Sequence, residues 1–242
     1  MKAVVTGSAS GVGLALVREL NERGARVIGV DLAGDIRAKR VSEAGGEFLA
    51  CDVTSPDDWR RLAAAVRERF GALDFAALNA GIMTRPPAAP IDDDPLALAG
   101  GDAYRRVFAV NVDGVVLGLA ALVPVMAQGS AIVATSSAAG LIALPWDPYY
   151  AATKHAVVGL VRSFGAPLAA RGIRLNALCP VGIDTAIVPI AARATTPASE
   201  LRTPEYAAKA ALAVAARPES GAAFVFSDDA AFVRRYDVPS PF

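Results

Sequence analysis

Seven short, β-branched runs recur along the chain with helix-length segments between them, and this alternation constrains the fold more than any other feature. The runs are Ala3–Thr6, Arg26–Asp31, Glu47–Cys51, Asp74–Asn79, Ala131–Ser136, Arg174–Leu178 and Ala222–Phe226. Helical periodicity covers Gly13–Glu22, Pro56–Phe70, Tyr104–Ala127 and Tyr150–Arg171. A strand followed by a helix crosses over to its next strand, so the strands are expected to pair in parallel. They are nearly all apolar rather than alternating, as strands are when both faces of their sheet are covered. The expected fold is α/β: a doubly wound parallel sheet of about seven strands with helices on both faces. No repeat or linker divides residues 1–242, so one domain is expected.

Composition excludes several functions. Of 242 residues, 54% are hydrophobic, ample for a core, and 24 Lys+Arg balance 24 Asp+Glu. Without a basic field, neither nucleic acid nor an anionic membrane surface is an expected partner. Mean hydropathy is +0.39. Yet the longest apolar stretch, Val115 to Ala127, holds Gly118 and Pro124 and falls short of the ~18 residues a span needs. Met1 to Val5 runs straight into Gly7 with no room for a leader, so a cytoplasmic protein is expected. Cys51 and Cys179 have no metal-ligand spacing and read as buried free thiols. His155 is the single histidine. That excludes His-rich metal sites and gives a Ser-His-Asp hydrolase no support.

Between the first strand and the first helix lies Thr6-Gly7-Ser8-Ala9-Ser10-Gly11-Val12-Gly13. Glycines there let the backbone turn tightly and approach a pyrophosphate, whose charge meets the amides of a helix N-terminus. The second strand ends in Asp31, twenty residues after Gly11, where a carboxylate can accept from both adenosine ribose hydroxyls and repel a 2′-phosphate. No Arg or Lys lies within Ser8–Val12, and Arg37 and Lys39 read as helix-surface residues. NAD is expected rather than NADP. Asp31 as a plain strand-end turn residue is the competing reading.

Tyr150 and Lys154 stand four apart at the start of a predicted helix and so share a face. A phenol titrates near 10 and is a poor base at neutral pH; a nearby ammonium favours the phenolate. Thirteen residues upstream, Ser137 follows the fifth predicted strand, where a hydroxyl could hold a carbonyl while Tyr150 donates its proton.

With these pieces in place, the chain resembles a single-domain short-chain dehydrogenase/reductase, a Rossmann-type fold, through about Thr185. The matching pieces are Thr6–Gly13, Asp52-Val53, Asn79-Ala80-Gly81, Asn111, Ser137 and Tyr150-x-x-x-Lys154. The resemblance implies that Tyr150 is the general acid for carbonyl reduction and the base for alcohol oxidation. Lys154 would bind the nicotinamide ribose and lower the Tyr150 pKa, Ser137 would orient the carbonyl, and Asn111 would hold a water leading to Lys154. Gly7, Ser10, Gly11, Val12, Gly13 and Asp31 would hold the nucleotide. Asp52 and Val53 would cup the adenine, and Asn79, Ala80 and Gly81 would line the cofactor. Pro180 and Thr185 would touch the nicotinamide carboxamide. Tyr149, Ser136 and His155 would lie outside the reaction.

Two regions depart from the family pattern. Val181 stands where glycine normally follows Pro180, and Phe224-Val225-Phe226 is followed by Ser227-Asp228-Asp229 rather than Asp-Gly-Gly. The latter puts a tetramer along that edge in doubt. The all-round apolar segments Val112–Ala127 and Tyr150–Ala169 still lead us to expect a homodimer or homotetramer. Asp184–Thr203 would be a substrate lid, and its Ile187, Val188, Pro189 and Ile190, with Leu141, Ile142, Leu144, Pro145 and Trp146, would suit an apolar or cyclic alcohol. Arg85 and Arg193 leave an anionic substrate open. The alternatives are a non-catalytic NAD-binding sensor and a sugar-nucleotide epimerase, for which the chain after Thr185 is short.

Overall fold

In a computed structural model, which describes residues 1–195, 197, 201–226 and 232–237, the strands form one eight-stranded sheet. They are β1 (Lys2–Thr6), β2 (Arg26–Asp31), β3 (Glu47–Ala50), β4 (Leu73–Leu78), β5 (Met126–Thr135), β6 (Arg174–Cys179), β7 (Ala223–Phe226) and β8 (Val233–Tyr236). The order is β3-β2-β1-β4-β5-β6-β7-β8, parallel throughout except for the β7–β8 pair. The order reverses direction after β1, so the connections leave β1 and β4 toward opposite faces and open a crevice above them.

The helices are α1 (Gly11–Glu22), α2 (Asp35–Glu43), α3 (Pro56–Phe70), α4 (Asp102–Phe108), α5 (Gly114–Leu122), α6 (Pro148–Ala169), α7 (Ile190–Thr195) and α8 (Pro204–Ala215). Side chains alternate across a strand, and both sets are buried here. Val4, Ala76 and Ile132 pack with Trp59 of α3, Leu122 of α5 and Val157 of α6. Their strand neighbours Val5, Phe75 and Val133 pack on the other face with Leu16 and Leu20 of α1 and Leu212 of α8. Three helices begin alike, with an N-cap side chain before a proline. Ser55 accepts from the Asp58 amide at 3.3 Å, Asp147 from Tyr150 at 3.1 Å and Thr203 from Tyr206 at 3.2 Å. The cap satisfies an otherwise orphaned N–H, and proline at the first helical position has none to lose.

The predicted Tyr104–Ala127 helix is corrected in two ways. It widens into a π turn at Ala109–Asp113, between α4 and α5. It also stops in a 3-10 turn at Val123–Val125, because Pro124 cannot continue the hydrogen-bond ladder. Met126 and Ala127 belong to β5, where Met126 pairs with Leu73. The whole helical run Asp102–Val125 is long and apolar enough to cross a membrane by length and composition. Here Val107, Val115, Leu119 and Leu122 of that run are buried. β8 lies beyond the seven expected strands: its core residue, Val233, sits beside Arg234 and Arg235, whose charge suits an antiparallel edge. The expected Ser227-Asp228-Asp229 segment and the Val238–Phe242 tail lie outside the described residues.

Two glycines of α6 make opposite predictions. Around Gly159 nothing lies within 4 Å of where a Cβ would stand, so Gly159→Ala should stabilise by about 0.5–1 kcal/mol through helix propensity. At Gly165 the Cβ would lie 2.3 Å from the Cα of Gly221, so Gly165→Ala should destabilise by about 1–3 kcal/mol despite the same propensity gain. Thermal or denaturant unfolding of the two variants reads both signs.

Candidate active site

Parallel pairing delivers the ends of β1 to β6 to one edge, and the residues singled out in the sequence follow them there. Gly7 follows β1, Asp31 ends β2, Asp52 and Val53 follow β3, Asn79–Gly81 follow β4, Ser137 follows β5 and Pro180 follows β6. One hydroxyl ties two of these ends together. Thr6 Oγ1 accepts from the amides of Asn79 (2.8 Å) and Ala80 (2.9 Å), while Asn79 Nδ2 donates to the Thr6 carbonyl at 3.1 Å.

The glycine loop fits a dinucleotide. Gly7 and Gly11 have φ of 65° and 51°, in the left-handed region that favours glycine. A Cβ on Gly13 would sit 2.0 Å from the Gly7 carbonyl oxygen, so the first turn of α1 closes against the loop only without one. Ser10, the N-cap of α1, makes no side-chain capping bond. The amides of Gly11, Val12 and Gly13 thus gain no acceptor from the cap, the donor set a pyrophosphate takes. Thr185 reaches over the loop, its Cγ2 lying 3.3 Å from the Cβ position of Gly11. Asp31 braces it, accepting from the amides of Ala9 (3.0 Å) and Leu32 (2.9 Å). Arg37 is an exposed residue of α2, as expected, and its Nε lies 3.3 Å from the Asp31 carboxylate. Asp52 accepts from the amide and hydroxyl of Thr54, and the Val53 carbonyl accepts from the Trp59 indole.

Tyr150 and Lys154 stand one turn apart on α6, with Lys154 Nζ 5.5 Å from the Tyr150 ring centre. Nζ donates to the Thr135 carbonyl at 2.9 Å. Ser137 lies near enough to the Tyr150 phenol to favour its ionised form, and its hydroxyl accepts from the Ala139 amide at 3.2 Å. Burial pushes the phenol up to about 12; the neighbouring Ser137 hydroxyl pulls it down and the Asp147 carboxylate pushes it further up. Burial draws the Lys154 ammonium down to about 8, against a pull upward from Cys179. Asn111 sits in the π turn, fully buried, and its side chain brackets Ile82. Oδ1 accepts from the Ile82 amide (2.9 Å), and Nδ2 donates to the Ile82 carbonyl (2.9 Å) and to Thr153 Oγ1 (3.0 Å). Gly81 has a Cβ position only 3.3 Å from both Asn111 Oδ1 and Lys154 Nζ. The Pro180 carbonyl accepts from the Ala138 amide at 2.7 Å, locking β6 to the turn that carries Ser137.

The neighbours read as bystanders have structural partners. Ser136 donates to the Lys154 carbonyl at 2.8 Å, Tyr149 packs edge-on to Tyr104, and His155 is exposed with Nδ1 3.0 Å from the Ala151 carbonyl. Val181 is exposed. Arg85, left open as an anion ligand, is instead buried and spends its guanidinium on three backbone carbonyls, those of Trp146, Pro90 and Asp93. Arg193 pairs with Asp184. The sequence reading missed Asp147, whose place before Pro148 is a legible N-cap signal, and Thr6, Thr135 and Thr153, whose partners are distant in the chain. Among the described residues, no group of His, Cys, Asp and Glu could hold a metal.

A dinucleotide cradle beside a Ser–Tyr–Lys cluster defines an oxidoreductase, and the comparisons agree. The family profile described as enoyl-(acyl carrier protein) reductase matches residues 7–235. The chain is 40% identical to cis-4-hydroxycyclohexanecarboxylate dehydrogenase of Sinomonas cyclohexanicum over 96% of its own length and 91% of that protein's. It is 35% identical to zerumbone synthase of Zingiber zerumbet, over 76% of this chain and 68% of that one. It is also 35% identical to (+)-borneol dehydrogenase 2 of Salvia officinalis, over 76% and 65%. The chain belongs to the short-chain dehydrogenase/reductase family, as an oxidoreductase acting on CH–OH groups.

Replacing Asn111 with Ala would strip both polar groups of Ile82 and one of Thr153 of their partner. We expect a loss of about 2–4 kcal/mol, read by denaturant unfolding. Asn111→Asp should be no rescue, because a carboxylate cannot donate to Ile82 or Thr153.

Proposed function

We propose that the protein is an NAD-dependent dehydrogenase/reductase that interconverts a secondary alcohol and a ketone on an apolar, cyclic substrate. The observation that carries this reading is Tyr150 with Lys154 one turn on, the Lys154 ammonium held by the Thr135 carbonyl and Ser137 beside the phenol, at the strand edge that also bears the uncapped α1. A nicotinamide dinucleotide bound there supplies or accepts the hydride. The chain's own residues orient the carbonyl and move the proton. Ser137 and Tyr150 each offer a hydroxyl to the carbonyl oxygen, and Tyr150 transfers its proton to that oxygen as the ketone is reduced. Gly7, Ser10, Gly11, Val12, Gly13, Asp31, Asp52, Val53, Asn79, Ala80, Gly81, Pro180 and Thr185 would hold the dinucleotide, with Lys154 at its nicotinamide ribose.

NAD is favoured over NADP by Asp31 at the end of β2, although Arg37 beside it offsets part of the charge. An apolar cyclic substrate is supported by the relative named for a hydroxycyclohexane carboxylate and by the apolar residues Ile142, Ile187 and Ile190, which are exposed near strand ends and on the 184–203 segment. That segment, holding α7, would be the lid. Leu141 is withdrawn from the pocket lining because it packs on the core. A cytoplasmic homodimer or homotetramer without membrane or nucleic-acid partners suits the balanced charge and the packing of the 102–125 helical run.

Tyr150→Phe should lose at least about 10³-fold in turnover of cyclohexanol or cyclohexanone while keeping NADH affinity within about threefold, by fluorescence titration. An active Tyr150→Phe would overturn the reading, as would preferential reduction of an enoyl thioester over ketones in the same assay. The kcat/KM for NAD should exceed that for NADP by at least about tenfold, and Arg37→Ala should widen the gap. The pH dependence has a definite sign. A phenol held near 12 stays protonated at neutral pH, as carbonyl reduction requires, so alcohol oxidation should accelerate as pH rises above 8 while reduction does not.

A further inference from the structure

The loop that leaves the Asn79–Gly81 turn is fastened to the start of α6 by buried groups that the proton-transfer reading does not use. Asp147 is 2% exposed and spans the gap: Oδ1 accepts from the Tyr150 amide at 3.1 Å and Oδ2 from the Thr84 amide at 3.0 Å. Arg85, next in the chain, is 5% exposed. Its Nε donates to the Trp146 carbonyl at 2.9 Å, Nη1 to Pro90 at 3.1 Å and Nη2 to Asp93 at 2.6 Å. The Asp93 carboxylate lies 3.9 Å away, close enough to offset the buried charge. The far side of the loop holds the start of α7, since the Pro87 carbonyl accepts from the amide of its first residue, Ile190, at 2.9 Å.

We propose that Asp147 and Arg85 are positioning residues for Tyr150: Asp147 fixes the helix turn that carries the phenol, and Arg85 fixes the loop that fixes Asp147. Through Pro87 the same loop ties the start of α7 to that turn. The proposal rests on Tyr150 being the proton-transfer residue. Three carbonyls on three sides of one guanidinium set a planar fork that lysine cannot reproduce. Asp147 also acts on the phenol through its charge. The titratable groups facing Tyr150 are Asp147, the N-cap of α6, and Lys154 one turn into it; Cys179, at the end of β6, faces Lys154, and burial pushes its thiol up to about 11. Asp147 is the anionic member, and it opposes formation of a phenolate.

Asn in place of Asp147 keeps an oxygen for the Tyr150 amide but turns a donor toward the Thr84 amide and removes the charge. With cyclohexanol and NAD as the probes, Asp147→Asn should lower kcat about tenfold with the KM for NAD within twofold. It should also move the acid limb of the oxidation profile to lower pH by about half a unit or more. The 13Cζ resonance of Tyr150, identified by its loss in Tyr150→Phe, should begin to titrate at lower pH in cofactor-free Asp147→Asn. Arg85→Lys and Arg85→Met should lower kcat in that order of severity, again with the KM for NAD held. A role in stability alone would lower Tm in these variants and leave kcat and the pH profile of the folded protein at wild-type values; that result overturns the proposal. If Asp147→Asn fails to fold, the Arg85 pair decides alone, and wild-type kcat in both overturns it. Full activity in Tyr150→Phe would instead strike the underlying reading, so the two failures are told apart.

Discussion

One threonine hydroxyl joins the strands on which the site depends. Thr6 Oγ1 takes two amide protons from Asn79 and Ala80 and lies 3.3 Å from the Ala77 carbonyl as donor. It therefore pins the end of β1 to the end of β4, the two strands between which the sheet order reverses. The Thr135 hydroxyl adds β5 by donating to Asn79 Oδ1 at 3.3 Å. A crevice forms at that point because the crossovers depart to opposite faces, and hydrogen bonds across its floor keep it from spreading. The glycine loop, the Asn79–Gly81 turn and Lys154, bound to the Thr135 carbonyl, are all set relative to this joint.

Above that floor a second set of buried hydrogen bonds holds the tyrosine turn. Asn111 ties Ile82 to Thr153, and Thr153 donates to the Tyr150 carbonyl at 2.7 Å. Asp147 ties Thr84 to Tyr150 from the other side. The tyrosine turn is thus held by two buried side chains, Asn111 and Asp147, facing one short loop segment, residues 82 to 84. Burial acts on the site's charges in one direction: it disfavours both the phenolate and the ammonium, which is why the phenol lies high and the lysine low. In the proposed reaction the substrate oxygen would have to offset that cost, so proton transfer would depend on occupancy of the site.

Much of this was legible in the chain because it is local. Strand and helix alternation, the glycine spacing and the four-residue step from Tyr150 to Lys154 each lie within one element or one turn. What escaped was polar or distant. α2 buries only Val41, so its periodicity is faint, and β8 carries two arginines on an exposed edge. The π turn at Ala109–Asp113 has no composition of its own; it is recognised only once Asn111 is seen bracketing Ile82. Arg85 reads as a free cation until the loop folds its carbonyls around it, and the pairing of the exposed Arg37 with Asp31 shows only once β2 and α2 are placed. The spacing of Ser137 to Tyr150 located the pair, whereas the contact itself needed the sheet to bring the end of β5 to the start of α6.

The central claim is that this edge of the sheet moves a hydride between a cyclic carbinol and nicotinamide. Cyclohexanol carrying deuterium at the carbinol carbon, incubated with the protein and NAD, tests it directly by mass spectrometry of the nucleotide. The account predicts one deuterium in the NADH formed, on the nicotinamide ring. Bound NAD that remains unlabelled across a series of deuterated cyclic alcohols would contradict it.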